Sequence, residues 1–206
     1  MIHALQIVGI TGGIGSGKTT VCEVFNKLGY QIFSADSEAK KVMVSDVELV
    51  AEIKGLLGEA AYFPDGNLNR KWIGQQVFTD EKKLQALNGL VHPATHRAFF
   101  RWQDQLIQSG YEKPFALYEA AILLESGGKD RVDYVLTVYA PQSMRIQRVV
   151  KRDQSTEAAV KARMDNQWPD ARKIALADYT IFNDGVHLLI PQVMEAERFF
   201  REELGR

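Results

Sequence analysis

Apolar positions along this chain change period several times, and each change marks an element. Ile7-Val8-Gly9-Ile10 is almost continuously apolar, as in a strand covered on both faces. After a glycine-rich stretch, Val21, Val24, Phe25 and Leu28 recur at helical spacing, so residues 17–28 predict an amphipathic helix that Gly29 ends. Residues 31–35 read as a second strand leading to Asp36. Residues 37–60 and 68–109 are then helix-like, joined by the turn signal Tyr62-Phe63-Pro64-Asp65-Gly66. Leu68, Trp72, Ile73 and Val77 form one apolar face, and Leu84, Leu87, Leu90 and Val91 another. Pro93 is expected to open a long helix reaching about Ser109.

Strand patterns return at residues 115–118, at Val132–Tyr139 and at 178–182, the last stopped by Asn183-Asp184-Gly185. Ile122-Leu123-Leu124 reads as a helical start or a short apolar turn. Helices are expected from about Gln142 to Arg152, through the polar segment 153–175, and over residues 188–204. Strands alternating with helices predict an α/β fold, a five-stranded parallel sheet with helices on both faces. The roughly 70 helical residues after the second strand exceed what one crossover needs, so they read as a helical insert.

Composition narrows this picture only a little. With 46% apolar residues, 25% charged residues and net charge −1, nothing points to nucleic-acid binding by bulk charge. No stretch approaches the roughly 20 apolar residues of a membrane span, and the first strand leaves no room for a signal peptide, so the expectation is a cytoplasmic protein. The one cysteine, Cys22, excludes an intrachain disulfide framework and reads as packing. His3, His96 and His187 have no metal-ligand spacing, and Trp72, Trp102 and Trp168 read as packing. Charge is uneven locally. Segment 141–175 holds eight basic residues against four acidic ones. That is the composition of a lid closing over a triphosphate, with Arg148, Arg152 and Arg163 as candidates. It is equally that of a solvated face with internal pairs such as Lys161–Asp165.

Candidate chemistry begins at Gly12, Gly17, Lys18 and Thr19, which stand at the spacing of a phosphate-binding loop between a strand and a helix. Glycines let successive N–H groups turn inward as a nest opening onto a helix N-terminus, where an anion is favoured. Lys18 can reach the β- and γ-phosphates, and the Thr19 hydroxyl can ligate Mg²⁺. In a parallel sheet ligands gather at the carboxyl ends of the strands. That edge holds the loop, Asp36, Tyr118, Glu119, Ala140, Pro141 and Asn183. Asp36 can orient a hydroxyl attacking a γ-phosphate, or it can cap the following helix. Glu119 and Glu125 are open as metal carboxylates or as turn caps. A guanine-recognition Asn-Lys-x-Asp motif is not in place, which speaks against a GTPase switch.

In order along the chain come Thr11-Gly12-Gly13-Ile14-Gly15-Ser16-Gly17-Lys18-Thr19-Thr20, Ala35-Asp36, His92-Pro93 and Leu123-Leu124-Glu125. Arg148 through Arg152-Asp153, Arg163, Gln167 and Asn183-Asp184-Gly185 follow. This ordered set resembles the dephospho-CoA kinase family over essentially the whole length. The resemblance implies a P-loop kinase core over 1–36, 110–140 and 176–206. It implies a helical dephospho-CoA-binding region over 37–109 and a basic helical lid over 141–175. It further implies ATP and dephospho-CoA as substrates, with Mg²⁺. Asp36 would be the base, and Lys18, Arg148 and residues Gly13 to Thr20 would hold ATP, with Asn183 near the adenine. His92, Pro93, Tyr118 and Glu125 would lie on the substrate side. The chain departs from the family pattern at Ser34, where the family often has Asp, and at Glu119 and Ala121, around the place of a frequent proline.

Overall fold

The apolar run near the start of the chain becomes β1 (Gln6–Thr11), the middle strand of a five-stranded sheet, in the computed structural model, which describes residues 5–77 and 80–204. Its companions are β2 (Ile32–Ser34), β3 (Phe115–Glu119), β4 (Tyr134–Tyr139) and β5 (Tyr179–Phe182). All neighbours pair in parallel, in the order β2-β3-β1-β4-β5. Nine α-helices accompany them among the described residues. His3 lies outside the described residues.

The chain divides into two compact units. One comprises Met1–Ser34 with Tyr111–Arg206 and contains the whole sheet. α1 (Lys18–Lys27) and α9 (Leu189–Leu204) pack on it through a core that includes Val8, Ile10, Val21, Phe25, Leu117, Leu136, Ile181, Val193 and Phe200. Aromatic rings knit this core, with Tyr30 stacked on Phe115 at 4.4 Å and Phe25 meeting Tyr30 edge-on at 5.7 Å. Register sets the functional edge: β1 pairs Ile10 with Glu119 of β3 and Thr11 with Thr137 of β4, while Ser34 of β2 faces Glu119. Residues Ile122 to Leu124 form a turn, the second of the two readings, with Leu123 fully buried and packed close against Gly9.

The other unit, Ala35–Gly110, is helical. It consists of α2 (Ala35–Ser45), α3 (Val47–Leu57), α4 (Arg70–Val77) and α5 (Glu81–Gln108), around Leu49, Ile53, Leu57, Ile73, Leu87 and Val91. The expectation that Pro93 opens a helix is overturned. Asp80 is the N-cap, accepting from Lys83 N at 3.1 Å, and Pro93 lies inside one 28-residue helix. Proline forfeits the bond to the carbonyl four residues back, here Gly89. Burial of Leu87, Val91, Ala94 and Phe99 on one face holds the helix continuous across that gap. Asp36 likewise does not precede α2 as a cap. It lies in the first turn, because the helix begins at Ala35 directly after β2.

Segment 141–175 belongs to the sheet-containing unit and folds as three helices, α6 (Gln142–Asp153), α7 (Glu157–Asp165) and α8 (Asp170–Leu176). Ile146 and Val149 of α6 and Val160 and Met164 of α7 form one apolar cluster, with Ile14 against it. The expected Lys161–Asp165 pair is replaced by Lys161–Glu157 at 2.8 Å. An acidic residue N-terminal to a lysine by four is the better orientation against the helix dipole.

Candidate active site

The phosphate loop forms where the sequence pattern puts it. β1 ends at Thr11, and α1 begins at Lys18. Gly17 holds the N-cap position at φ 99°, a left-handed conformation that side chains resist, and it offers no capping side chain. The N–H groups of the first turn of α1 are therefore left for an anion. At the other end of the loop, Gly12 passes so close to the carbonyl of Val138 in β4 that a Cβ would collide with it. Lys18 Nζ reaches back across the loop to Gly12 O at 3.0 Å. Thr19 and Thr20 are exposed in the first turn of α1, while Ser16 is buried with its hydroxyl unpartnered.

Arg148 and Asn183 meet at this loop, though 35 residues separate them in sequence. Arg148 Nη1 donates to Gly15 O at 3.4 Å and Ser16 O at 3.5 Å. Its Nη2 donates to Asn183 O at 3.2 Å, and Asn183 Nδ2 donates to Ser16 O at 2.8 Å. The Gly15 and Ser16 carbonyls are thus turned toward these two side chains, and inside the loop Ser16 N donates to Gly13 O at 3.0 Å. At the carboxyl end of β3, Glu119 Oε2 accepts from the Ser34 hydroxyl at 2.8 Å. Two of the three positions expected to depart from the family pattern, Ser34 and Glu119, are hydrogen-bonded to each other.

The remaining candidates are placed as follows. Tyr118 is buried, with its ring stacked on Phe33 at 5.5 Å. Glu125 pairs with Lys173 at 2.7 Å and accepts from Trp168 N at 3.0 Å. Arg152 and Arg163 are more than half exposed, and both hold Asp153, at 2.7 Å and 2.8 Å. Their hydrogen bonds keep the Asp153 carboxyl well below the usual aspartate range. In the helical unit, Asp36, His92 and Pro93 are all exposed, Asp36 on α2 and the other two on α5. Asp184 closes the turn after β5 by accepting from Val186 N and His187 N, at 2.9 Å and 3.0 Å.

Residue-by-residue reading missed Arg145, Asp170 and Lys173. Arg145 is 6% exposed, covers Gly13 and pairs with Asp170 at 2.7 Å. One signal was available: Arg145 falls on the apolar stripe of α6 with Ile146 and Val149. A charge on a buried stripe needs a partner.

The sequence model of the Dephospho-CoA kinase family matches residues 6–188. The chain belongs to the dephospho-CoA kinase family. It is 39% identical over 181 residues to the dephospho-CoA kinase of Salinibacter ruber, covering 88% of this chain and 90% of that one. It is 40% identical over 183 residues to the dephospho-CoA kinase of Chlorobaculum tepidum, covering 87% and 86%. The crystal structure of TT1252 from Thermus thermophilus superposes with a TM-score of 0.81 at 32% identity, over 97% of this chain and 98% of that one. The fold is that of a P-loop kinase, and the family is one of ATP-dependent kinases. Among the described residues no helix is long and apolar enough to cross a membrane.

Proposed function

We propose that this chain transfers the γ-phosphate of ATP to the ribose 3′-hydroxyl of dephospho-CoA, giving coenzyme A and ADP, as a cytoplasmic enzyme. The observation that carries the reading is the donor site: an uncapped helix N-terminus, the Lys18 ammonium and Arg148 on one loop. Membership of a kinase family whose relatives carry the name dephospho-CoA kinase supplies the acceptor.

Phosphoryl transfer asks mainly for positioning and neutralisation of charge. The segment Gly13 to Thr20 cradles the β- and γ-phosphates through the backbone N–H groups that stay open there, Ile14 N being held by Gln167 and Ser16 N by Gly13 O, and Lys18 and Arg148 balance the phosphate charge. Asn183 adjoins the adenine. Asp36 stands two residues beyond the end of β2, in the first turn of a helix, and is exposed. We assign it to orient the 3′-hydroxyl and accept its proton, with His92, Pro93, Tyr118 and Glu125 on the acceptor side and Arg152 and Arg163 turning from Asp153 to the triphosphate.

Mg²⁺ fits this set of residues. Among the described residues no cluster of three or more acidic, histidine or cysteine side chains forms a cage. Mg²⁺ in kinases instead takes one or two protein oxygens plus phosphates and water. Thr19 Oγ1 would hold it, with the Glu119 carboxylate at the same sheet edge. When bound, the ion would neutralise charge on the phosphate oxygens.

A coupled assay with ATP and dephospho-CoA, reading ADP and coenzyme A, tests the reaction. Asp36→Asn is expected to lower kcat by about 10²–10⁴-fold with melting unchanged. Normal turnover in that variant would remove Asp36 as the base.

A further inference from the structure

The turn between α7 and α8 carries residues to which the transfer reaction assigns no role, yet they bond to groups of the site. Gln167 is at its centre. Its Oε1 accepts from Ile14 N of the phosphate loop at 2.8 Å, and its Nε2 donates to Ala121 O at 3.4 Å. Asp170 holds Arg145 over Gly13. Lys173, 1% exposed, pairs with Glu125 and also reaches Ala121 O at 3.3 Å. Trp168 N donates to the same Glu125 oxygen that Lys173 holds. The Thr11 hydroxyl points at Ala121 O as well, at 3.5 Å. One carbonyl therefore collects donors from the end of β1, from the turn and from α8.

We propose that residues 167–173 are a fixed brace for the phosphate loop, and that Gln167 is the positioning residue through which the brace acts. The proposal rests on the kinase reading above. A nest binds phosphate only while its N–H groups converge. Gln167 takes the Ile14 N–H from outside, which sets the plane of the Gly13–Ile14 peptide and hence the direction of the groups that follow. An uncharged amide does this without placing negative charge beside a triphosphate. The brace cannot swing freely, because moving α8 would separate a buried ion pair and strand its charges. The tip of the same segment, with Arg152, Asp153 and Arg163, has only exposed pairs. Any closure over ATP therefore belongs to that tip, and the 167–173 turn stays put.

Three measurements on Gln167→Ala and Gln167→Glu test this: calorimetric binding of a non-hydrolysable ATP analogue, steady-state kinetics with dephospho-CoA, and thermal melting. Gln167→Ala is expected to weaken the analogue and lower kcat by about tenfold each, with KM for dephospho-CoA within about twofold and melting near the parent's. Gln167→Glu keeps an acceptor for Ile14 but loses the donor to Ala121 O, which still receives Lys173. Its charge weakens the analogue at low salt, and added salt reduces the loss. Parent-like affinity and kcat in Gln167→Ala would overturn the proposal, as would a loss confined to the melting temperature. Should Gln167→Ala fail to fold, Gln167→Met decides, since it fills the same space with no acceptor for Ile14 N, and parent-like binding of the analogue by that variant overturns the brace. Analogue binding needs no acceptor, so this outcome is independent of whether dephospho-CoA is the substrate.

Discussion

Lys18 carries its effect through one atom. Its ammonium lies on Gly12 O at 3.0 Å, at the mouth of a loop whose walls are backbone. The side chain is half-buried, in the first turn of α1. Lys18→Ala is expected to lower kcat about 10²–10³-fold in the coupled assay, because a preorganised cation is lost from the developing charge. The melting temperature should move by no more than a few degrees. Gly12 is the opposite kind of residue. It contributes no chemistry, yet any side chain there meets the backbone of β4, so the loop cannot lie where it does without it.

At the scale of elements, α8 shows how a short helix is tied down. Among its seven residues only Lys173 is fully buried, and Lys173 is charged. Its partner Glu125 has a second oxygen, Oε2, buried without a hydrogen bond. Replacing Lys173 by methionine keeps the length of the side chain but abandons the carboxylate. Lys173→Met is expected to destabilise the fold by about 3–5 kcal/mol in urea unfolding. The double variant with Glu125→Gln should recover a large part of that, since no unpaired charge remains. If the single variant unfolds like the parent, the pair does not hold α8. The long α5 makes a related point. A proline predicts an element boundary, yet Pro93 sits inside α5, because one missing hydrogen bond weighs less than a buried helical face.

Across the whole molecule, stability should depend on alkaline pH through Cys22. Burial chiefly, with the Glu119 charge adding to it, pushes its thiol up from 9.0 to about 12. The folded state thus keeps a proton that the unfolded chain gives up above pH 9. The contribution is fully present below that pH and is lost as pH rises toward 12. Urea midpoints of the parent are expected to fall over this range more than those of Cys22→Ala. At pH 8 the thiol should react with a disulfide reagent only at the rate of unfolding. A fast reaction in the folded state would contradict the burial argument.

The division between what the sequence determined and what the tertiary structure decided follows contact distance. Periodicity along the chain placed all five strands and most of the helices, because each depends on neighbours within a turn or a strand. The phosphate loop was legible for the same reason: its glycines, Lys18 and Thr19 act on a backbone they themselves shape. The brace was not. Gln167 reaches Ile14 across 153 positions and Ala121 across 46, and Lys173 reads as one more cation in a polar stretch. Nor did local spacing disclose that Ser34 and Glu119 are partners, which follows only from the pairing of β2 with β3. Local sequence specifies which residue types can hold a phosphate. Which side chains hold the loop itself depends on strand order and burial, and these exist only once the chain has folded.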